Sequence, residues 1–296
     1  QPCWNDPSLF ADERDNHQYT SADAGAFVRG LAERLGVVPD HVQTGYEDTW
    51  YYLWRERRLP VNVDPFESKL EDEMERIRLR RVFGQGLTHE VGYVLPIKRA
   101  EGPSLGGSNW VTGPWFFRDE RMYLFPGDSP MGYRLPLDSL PWVTTGDYPY
   151  HIEHDPFAPR NALPPAASIR TQYAAHTPGG GFAEGGVVAV QGGVGVPGAK
   201  LLGAANGPAK SDSAIPLSQH PDRFQSAHWI TRTALCVEAR DPRRANGPKA
   251  EAEGEASGVL YVFMPPLQQL EDYLELLAAV EATAAELGVK IVLEGY

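Results

Sequence analysis

Residues 231 to 240, TRTALCVEAR, alternate so that an extended chain acquires two unlike faces. Thr231, Thr233, Leu235, Val237 and Ala239 fall on one face, and Arg232, Ala234, Cys236, Glu238 and Arg240 on the other. The stretch VKIVLEG near the end of the chain divides likewise, with Lys290, Val292 and Glu294 opposite Val289, Ile291 and Leu293. If a helix covers the apolar sides, Glu238 and Glu294 share an open face with Arg232 and Arg240. Charges projecting from strands inside a fold are costly unless they are paired or bound to a cation. Carboxylates and guanidiniums together on such a face are the ingredients of a metal and phosphate site. They also suit an ion-pair network joining Glu238 to Arg232 or Arg240. On the pattern alone that plainer reading comes first.

A second candidate lies in PGDSPMGYRLPLDSLPW, residues 126 to 142, where Asp128, Ser129 and Arg134 fall in a Pro-punctuated loop after a strand. Backbone N–H groups and a guanidinium in such a loop can receive a carboxylate or phosphate. In YEDTWYYLWRERRLPVNVDP, residues 46 to 65, Glu47 and Asp48 stand beside aromatic residues and arginines. That segment suits a substrate pocket or a packing surface with arginine stems lying over rings. Other near-motifs fail. GVGVPGAK at 193 to 200 lacks the residue after Lys that would hold magnesium in a phosphate-binding loop. HIEH at 151 to 154 spaces its histidines three apart, whereas a zinc-binding helix needs them four apart. Cys236, amid apolar neighbours, reads as a small core side chain rather than a nucleophile.

The elements that would position these groups can be read from periodicity. SADAGAFVRGLAERLG, residues 21 to 36, predicts a helix with Ser21 as N-cap, Ala24, Phe27, Val28, Leu31 and Leu35 inward, and Gly36 as its stop. A second helical pattern runs from about 67 to 83. VGYVLPI (91 to 97) reads as a strand, and PWFFRDERMYLF (114 to 125) as a hairpin turning at Arg118 to Arg121. Strands are expected over 231 to 240 and 258 to 264. A helix follows over about 267 to 287, with Leu267, Leu270, Leu274, Leu277 and Val280 inward and Gly288 at its C-cap, and then a closing strand. Hairpin, helix and strand imply an α+β fold, with a mixed or antiparallel sheet under covering helices. The chain divides into a mixed α/β N-terminal region (1–155), a Gly- and Pro-rich insert or linker (156–226) and a ββαβ unit (227–296). The insert, from about 165 to 226, is expected to lack regular structure and to tolerate shortening.

Composition narrows the function. A formal net charge of −12 over 296 residues argues against nucleic acid and anionic membranes as partners. Two distant cysteines, Cys3 and Cys236, supply no disulfide framework, which points to a reducing, cytoplasmic setting. No apolar run reaches the length of about 18 residues that would suggest a membrane span. The start at Gln1 and the strand ending at Tyr296 read as the ends of a fragment of a longer protein.

Long strings of this sequence, YEDTWYYLWRERRLPVNVDP, VGYVLPI, PGDSPMGYRLPLDSLPW, RTALCVEAR, LYVFMPP and LEDYLELLAAVEATAAELGVKIVLEGY, resemble a bacterial amidoligase family often fused behind a transglutaminase-like domain. The resemblance implies a glutamine-synthetase-like carboxylate–amine ligase core that uses ATP and magnesium and passes through an acyl phosphate. It implies Glu238 and Glu294 as magnesium or nucleotide ligands, and Arg232 and Arg240 as phosphate contacts in catalysis. Arg134, Asp128 and Ser129 are the candidate nucleotide-binding loop. A peptide or amino-acid substrate and a transglutaminase-like domain in the same longer chain are the implied partners. The chain stops before the downstream strand and the Gly- and His-bearing motifs of that family, so the fragment is expected to be inactive alone. The other reading is a noncatalytic peptide-binding module serving a fused transglutaminase-like or protease domain.

Overall fold

Thr20, not Ser21, caps the first helix. The Asp23 carboxylate reaches back to accept from the Thr20 backbone N–H at 2.7 Å, and α1 (Ser21–Arg34) follows. Its inward stripe is the expected one: Ala24, Phe27, Val28, Leu31 and Leu35 are all buried. A computed structural model describes residues 6–12, 15–48, 88, 90–100, 108–117, 120–126, 133–147, 162–174, 187–188, 215–216, 218–240 and 258–295. The helical pattern at 67 to 83, the HIEH and GVGVPGAK segments and the turn at 241 to 257 lie outside them.

In chain order the strands are β1 (Gln43–Glu47), β2 (Glu90–Pro96), β3 (Lys98–Arg99), β4 (Trp110–Val111), β5 (Met122–Pro126), β6 (Tyr133–Arg134), β7 (Val187–Val188), β8 (Ile215–Pro216), β9 (Ala234–Arg240), β10 (Val259–Met264) and β11 (Ile291–Gly295). Seven of them form one sheet in the order β11-β10-β9-β2-β1-β5-β6. β10 runs antiparallel to β9 and parallel to β11, β9 and β1 flank β2 antiparallel, and β5 runs parallel to β1. β3 with β4 and β7 with β8 make separate two-stranded ribbons. The remaining described α-helices are α2 (Ala166–Ala174) and α3 (Leu270–Leu287). This is the α+β arrangement with a mixed sheet and covering helices that the residue pattern implied.

The two sheet faces are packed differently. Leu95, Leu235, Val237, Leu260, Val262 and Ile291 form a core with Phe27, Val28 and Leu31 of α1 and Leu276, Ala279 and Val280 of α3. Each fully buried Leu, Ile or Phe contributes about 1.5–3 kcal/mol relative to its exposed state. That burial is what holds the two helices on this face. On the opposite face Val94, Cys236, Tyr261, Phe263 and Val292 meet Trp115, Leu140, Trp229 and Ile230 from loops.

α3 begins three residues later than expected, and Leu270, expected inward, is 56% exposed at its first position. Leu277 and Val280 of the expected stripe are buried, and Leu276, Ala279, Thr283 and Ala284 join them. Gly288, with φ +64, provides the left-handed C-cap that was expected. The hairpin expected over 114 to 125 does not form: β5 pairs with β1 and β6, while 112 to 117 carries no strand. Pairing with β1 satisfies the β5 backbone and buries Met122 and Leu124, which a local hairpin would leave at an edge.

A larger correction concerns the stretch from 165 to 226. α2 lies within it and packs on α3, with Ile169 and Tyr173 buried. Two arginines and a carboxylate explain why an Ala-rich segment among prolines is ordered here. Arg34 donates to the Tyr173 carbonyl and to the Glu286 carboxylate, and its Nε reaches Thr283 Oγ1 at 3.1 Å. The Tyr173 hydroxyl donates to Glu275 Oε2 at 3.2 Å, and Glu275 also receives Arg99.

Candidate active site

The face of the sheet opposite the helices brings three of the expected site residues together. Glu238 lies opposite Tyr261 in the β9–β10 register, and Glu294 lies opposite Phe263 in the β10–β11 register. The side chain of Arg240, at the end of β9, turns back along this face. Its Nε and Nη2 both donate to Glu238 Oε1, at 2.8 and 2.5 Å, and its Nη1 lies 4.0 Å from Glu294 Oε1. The guanidinium carbon stands 4.3 Å from the centre of the Tyr261 ring and 5.5 Å from that of Phe263. Ring faces carry negative potential, so this placement is attractive as well as close-packed.

Burial grades the three groups. Glu238 is 5% exposed at its side chain, whereas Arg240 and Glu294 are 19% and 21% exposed. The inner carboxylate is thus compensated by the guanidinium, and the outer side chain is the less enclosed of the two, although its Oε2 is buried. Gly92, beside Glu238 on β2, makes room for this: a Cβ there would stand 3.1 Å from the Val237 carbonyl oxygen and 3.3 Å from Glu238 Cβ. Cys236 shares the face but is sealed within the loop-side core, and burial, with the Glu238 charge adding to it, pushes its thiol up to about 12. It is a core residue, as its sequence setting implied.

The other expected site residues lie apart. Arg232, in the segment before β9, donates from Nη2 to the Pro141 carbonyl at 2.5 Å. Arg134 is exposed on β6 at the far edge of the sheet, with β2, β1 and β5 between it and β9. Asp128 and Ser129 lie outside the described residues. Glu47, at the end of β1, is buried and accepts from the Tyr133 hydroxyl at 3.0 Å. Tyr261 and Phe263 were not singled out from the sequence. The signal was present in GVLYVFM, whose alternation places Val259, Tyr261 and Phe263 on one face.

A second polar cluster sits on the helix side. Arg99 Nε lies 3.1 Å from Asp272 Oδ1, and its other nitrogens bond Glu275, which also receives Asn109 and Tyr173. Arg99 lies over the Trp110 ring, and the Trp110 indole donates to the Tyr173 hydroxyl at 3.2 Å. These bonds join α2, α3 and the β3–β4 ribbon to one another.

A family model described as "Putative amidoligase enzyme (DUF2126)" matches residues 1–296. The chain belongs to this amidoligase family. No curated protein and no solved structure matches it. The family description supports ligase chemistry at a coarse level, and the geometry on β9 to β11 can be tested for fit to the ions such chemistry uses. Magnesium takes oxygen ligands, typically one or two protein carboxylates, with waters and substrate phosphates completing the shell. Glu238 and Glu294 are donors of that kind. Among the described residues no group of three or more His, Cys, Asp or Glu side chains is arranged to hold a metal. No helix among the described residues is long and apolar enough to cross a membrane.

Proposed function

We propose that this amidoligase is an ATP-dependent carboxylate–amine ligase that forms an amide or isopeptide bond on a peptide or amino-acid substrate, with the β9–β11 face as part of its site. The observation that carries this reading is the Glu238–Arg240–Glu294 cluster on the sheet face away from the helices. When bound, the magnesium nucleotide supplies the phosphoryl group that activates the carboxylate. Glu294 and Glu238 are the carboxylates this face offers, of which a magnesium ion would take one or both. Arg240 offers fixed positive charge to the transferring phosphoryl group, which bears negative charge throughout transfer. Its ring floor and partner carboxylate hold it in place beforehand, so little reorganisation accompanies reaction. A glutamine-synthetase-like core for the wider fold, and a transglutaminase-like domain in the same longer chain, belong to this reading.

The test is ADP formation by the full-length protein, given ATP, magnesium and mixtures of amino acids or short peptides. ADP formation that needs both a carboxylate and an amine, and that falls at least about tenfold in Glu294→Gln, supports the ligase, since charge-assisted contacts are worth that much. No ADP formation by the folded protein with any mixture would instead leave a noncatalytic peptide-binding module as the better description.

A further inference from the structure

Of the two carboxylates on the face away from the helices, Glu238 is held by Arg240 through two hydrogen bonds. One of its oxygens accepts both Nε and Nη2 of Arg240, which fixes the guanidinium plane as well as its position. Tyr261, directly opposite Glu238 in the strand register, lies beneath the same guanidinium. Clamp and floor are therefore set by neighbouring backbone positions. The Glu238 stem runs alongside Gly92, where an added methyl group would crowd Glu238 Cβ at 3.3 Å. At 5% exposure the Glu238 side chain is also poorly placed for an ion that gives up its waters reluctantly, whereas the Glu294 side chain at 21% is less enclosed, with Oε2 buried and Oε1 4.0 Å from Arg240 Nη1.

Resting on the ligase reading above, we infer that Glu238 is a positioning residue for Arg240 and not a magnesium ligand. Glu238, Arg240 and the Tyr261 ring act as one anion-recognising unit, and Glu294 alone of the pair serves the metal. The unit recognises the terminal phosphate of the nucleotide, the group that a ligase of this kind transfers to the carboxylate before the amine attacks.

The roles separate in calorimetric titrations of ATP into the full-length protein at a series of magnesium concentrations. Glu238→Gln and Arg240→Lys each weaken MgATP binding about tenfold or more, as loss of charge-assisted hydrogen bonds does. The double variant binds no more weakly than Arg240→Lys, because residues acting as a unit are non-additive. The magnesium concentration for half-maximal ATP binding stays at the wild-type value in Glu238→Gln and rises severalfold in Glu294→Gln. Tyr261→Leu, which keeps every charge, also weakens MgATP without moving the magnesium requirement. It stands in if Glu238→Gln loses its folded circular dichroism spectrum. Effects of Glu238→Gln and Arg240→Lys that multiply, or a magnesium requirement in Glu238→Gln that rises as in Glu294→Gln, overturn the positioning role. A wild-type protein that takes up no MgATP at any magnesium concentration overturns the ligase reading, and this inference with it.

Discussion

The Tyr173 hydroxyl and the Glu275 carboxylate, 102 residues apart in sequence, are joined by a hydrogen bond of 3.2 Å that ties α2 to α3. The same hydroxyl accepts from the Trp110 indole, and burial, above all, pushes its pKa up to about 12. Tyr173→Phe removes the hydroxyl and leaves the Trp110 N–H without that acceptor. The expected cost is about 1–3 kcal/mol, the penalty for stranding a buried polar group. Deleting residues 166 to 174 costs more, since it also removes the buried Ile169 and Tyr173 side chains. Thermal unfolding of the two variants measures both effects. If the deletion leaves the midpoint unchanged, α2 is a passive passenger, as the residue composition had implied.

Gly92 is the next sensitive point. A methyl group there meets the Val237 carbonyl oxygen at 3.1 Å and Glu238 Cβ at 3.3 Å, so backbone or the clamp must give way. Overpacking of this size costs about 1–3 kcal/mol. Gly92→Ala should lower the unfolding midpoint and, by moving Glu238, weaken nucleotide binding further than an equally destabilising substitution in α1 does. Equal loss of binding in the two variants would show that the effect is only on stability.

Cys236 provides a chemical check on burial of the loop-side core. With its thiol pushed up to about 12, almost no thiolate exists at pH 8, and the side chain is enclosed. Iodoacetamide at pH 8, followed by peptide mapping, should leave Cys236 unmodified in folded protein and alkylate it in denaturant. Rapid alkylation without denaturant would mean that the loops carrying Leu140, Trp229 and Ile230 open readily.

Where a segment repeats one period over many residues, its place in the fold could be read from sequence. α1, β2, β9, β10 and β11 were legible for that reason, and alternation alone brought Glu238, Arg240 and Glu294 to one face. β1 was not. QTGYE is short, polar and interrupted by glycine, and its strand state comes from pairing with β2 and β5, which local pattern does not record. α2 escaped notice because its order comes from Arg34 and Glu275, both remote in sequence. Arg232 shows the opposite error. Alternation continued backwards from β9 placed it with Glu238, but regular structure starts only at Ala234, and the guanidinium turns to the Pro141 carbonyl.

The Asp272 carboxylate sets two effects against each other, and pH decides between them. Burial raises its pKa, the neighbouring Arg99 guanidinium lowers it, and the charges of Glu275 and Glu271 raise it further. Across the cluster from α2, Tyr173 contributes only a neutral hydroxyl at ordinary pH, its own pKa being pushed up to about 12. The net direction for Asp272 is upward, so the folded state holds this proton more tightly than the unfolded chain does. The sign follows from linkage. The contribution of Asp272 to stability is fully present below its unfolded pKa and is lost as pH rises through the higher folded value. Asp272→Asn keeps the shape and cannot titrate, so it serves as the reference in which every other group is shared. Unfolding midpoints measured from about pH 3.5 upward, starting near the ordinary aspartate value, should show wild type losing ground to Asp272→Asn and then running parallel to it. The reverse trend, with wild type gaining on the variant as Asp272 ionises, would mean that the Arg99 contact at 3.1 Å outweighs burial and that the shift has the opposite sign.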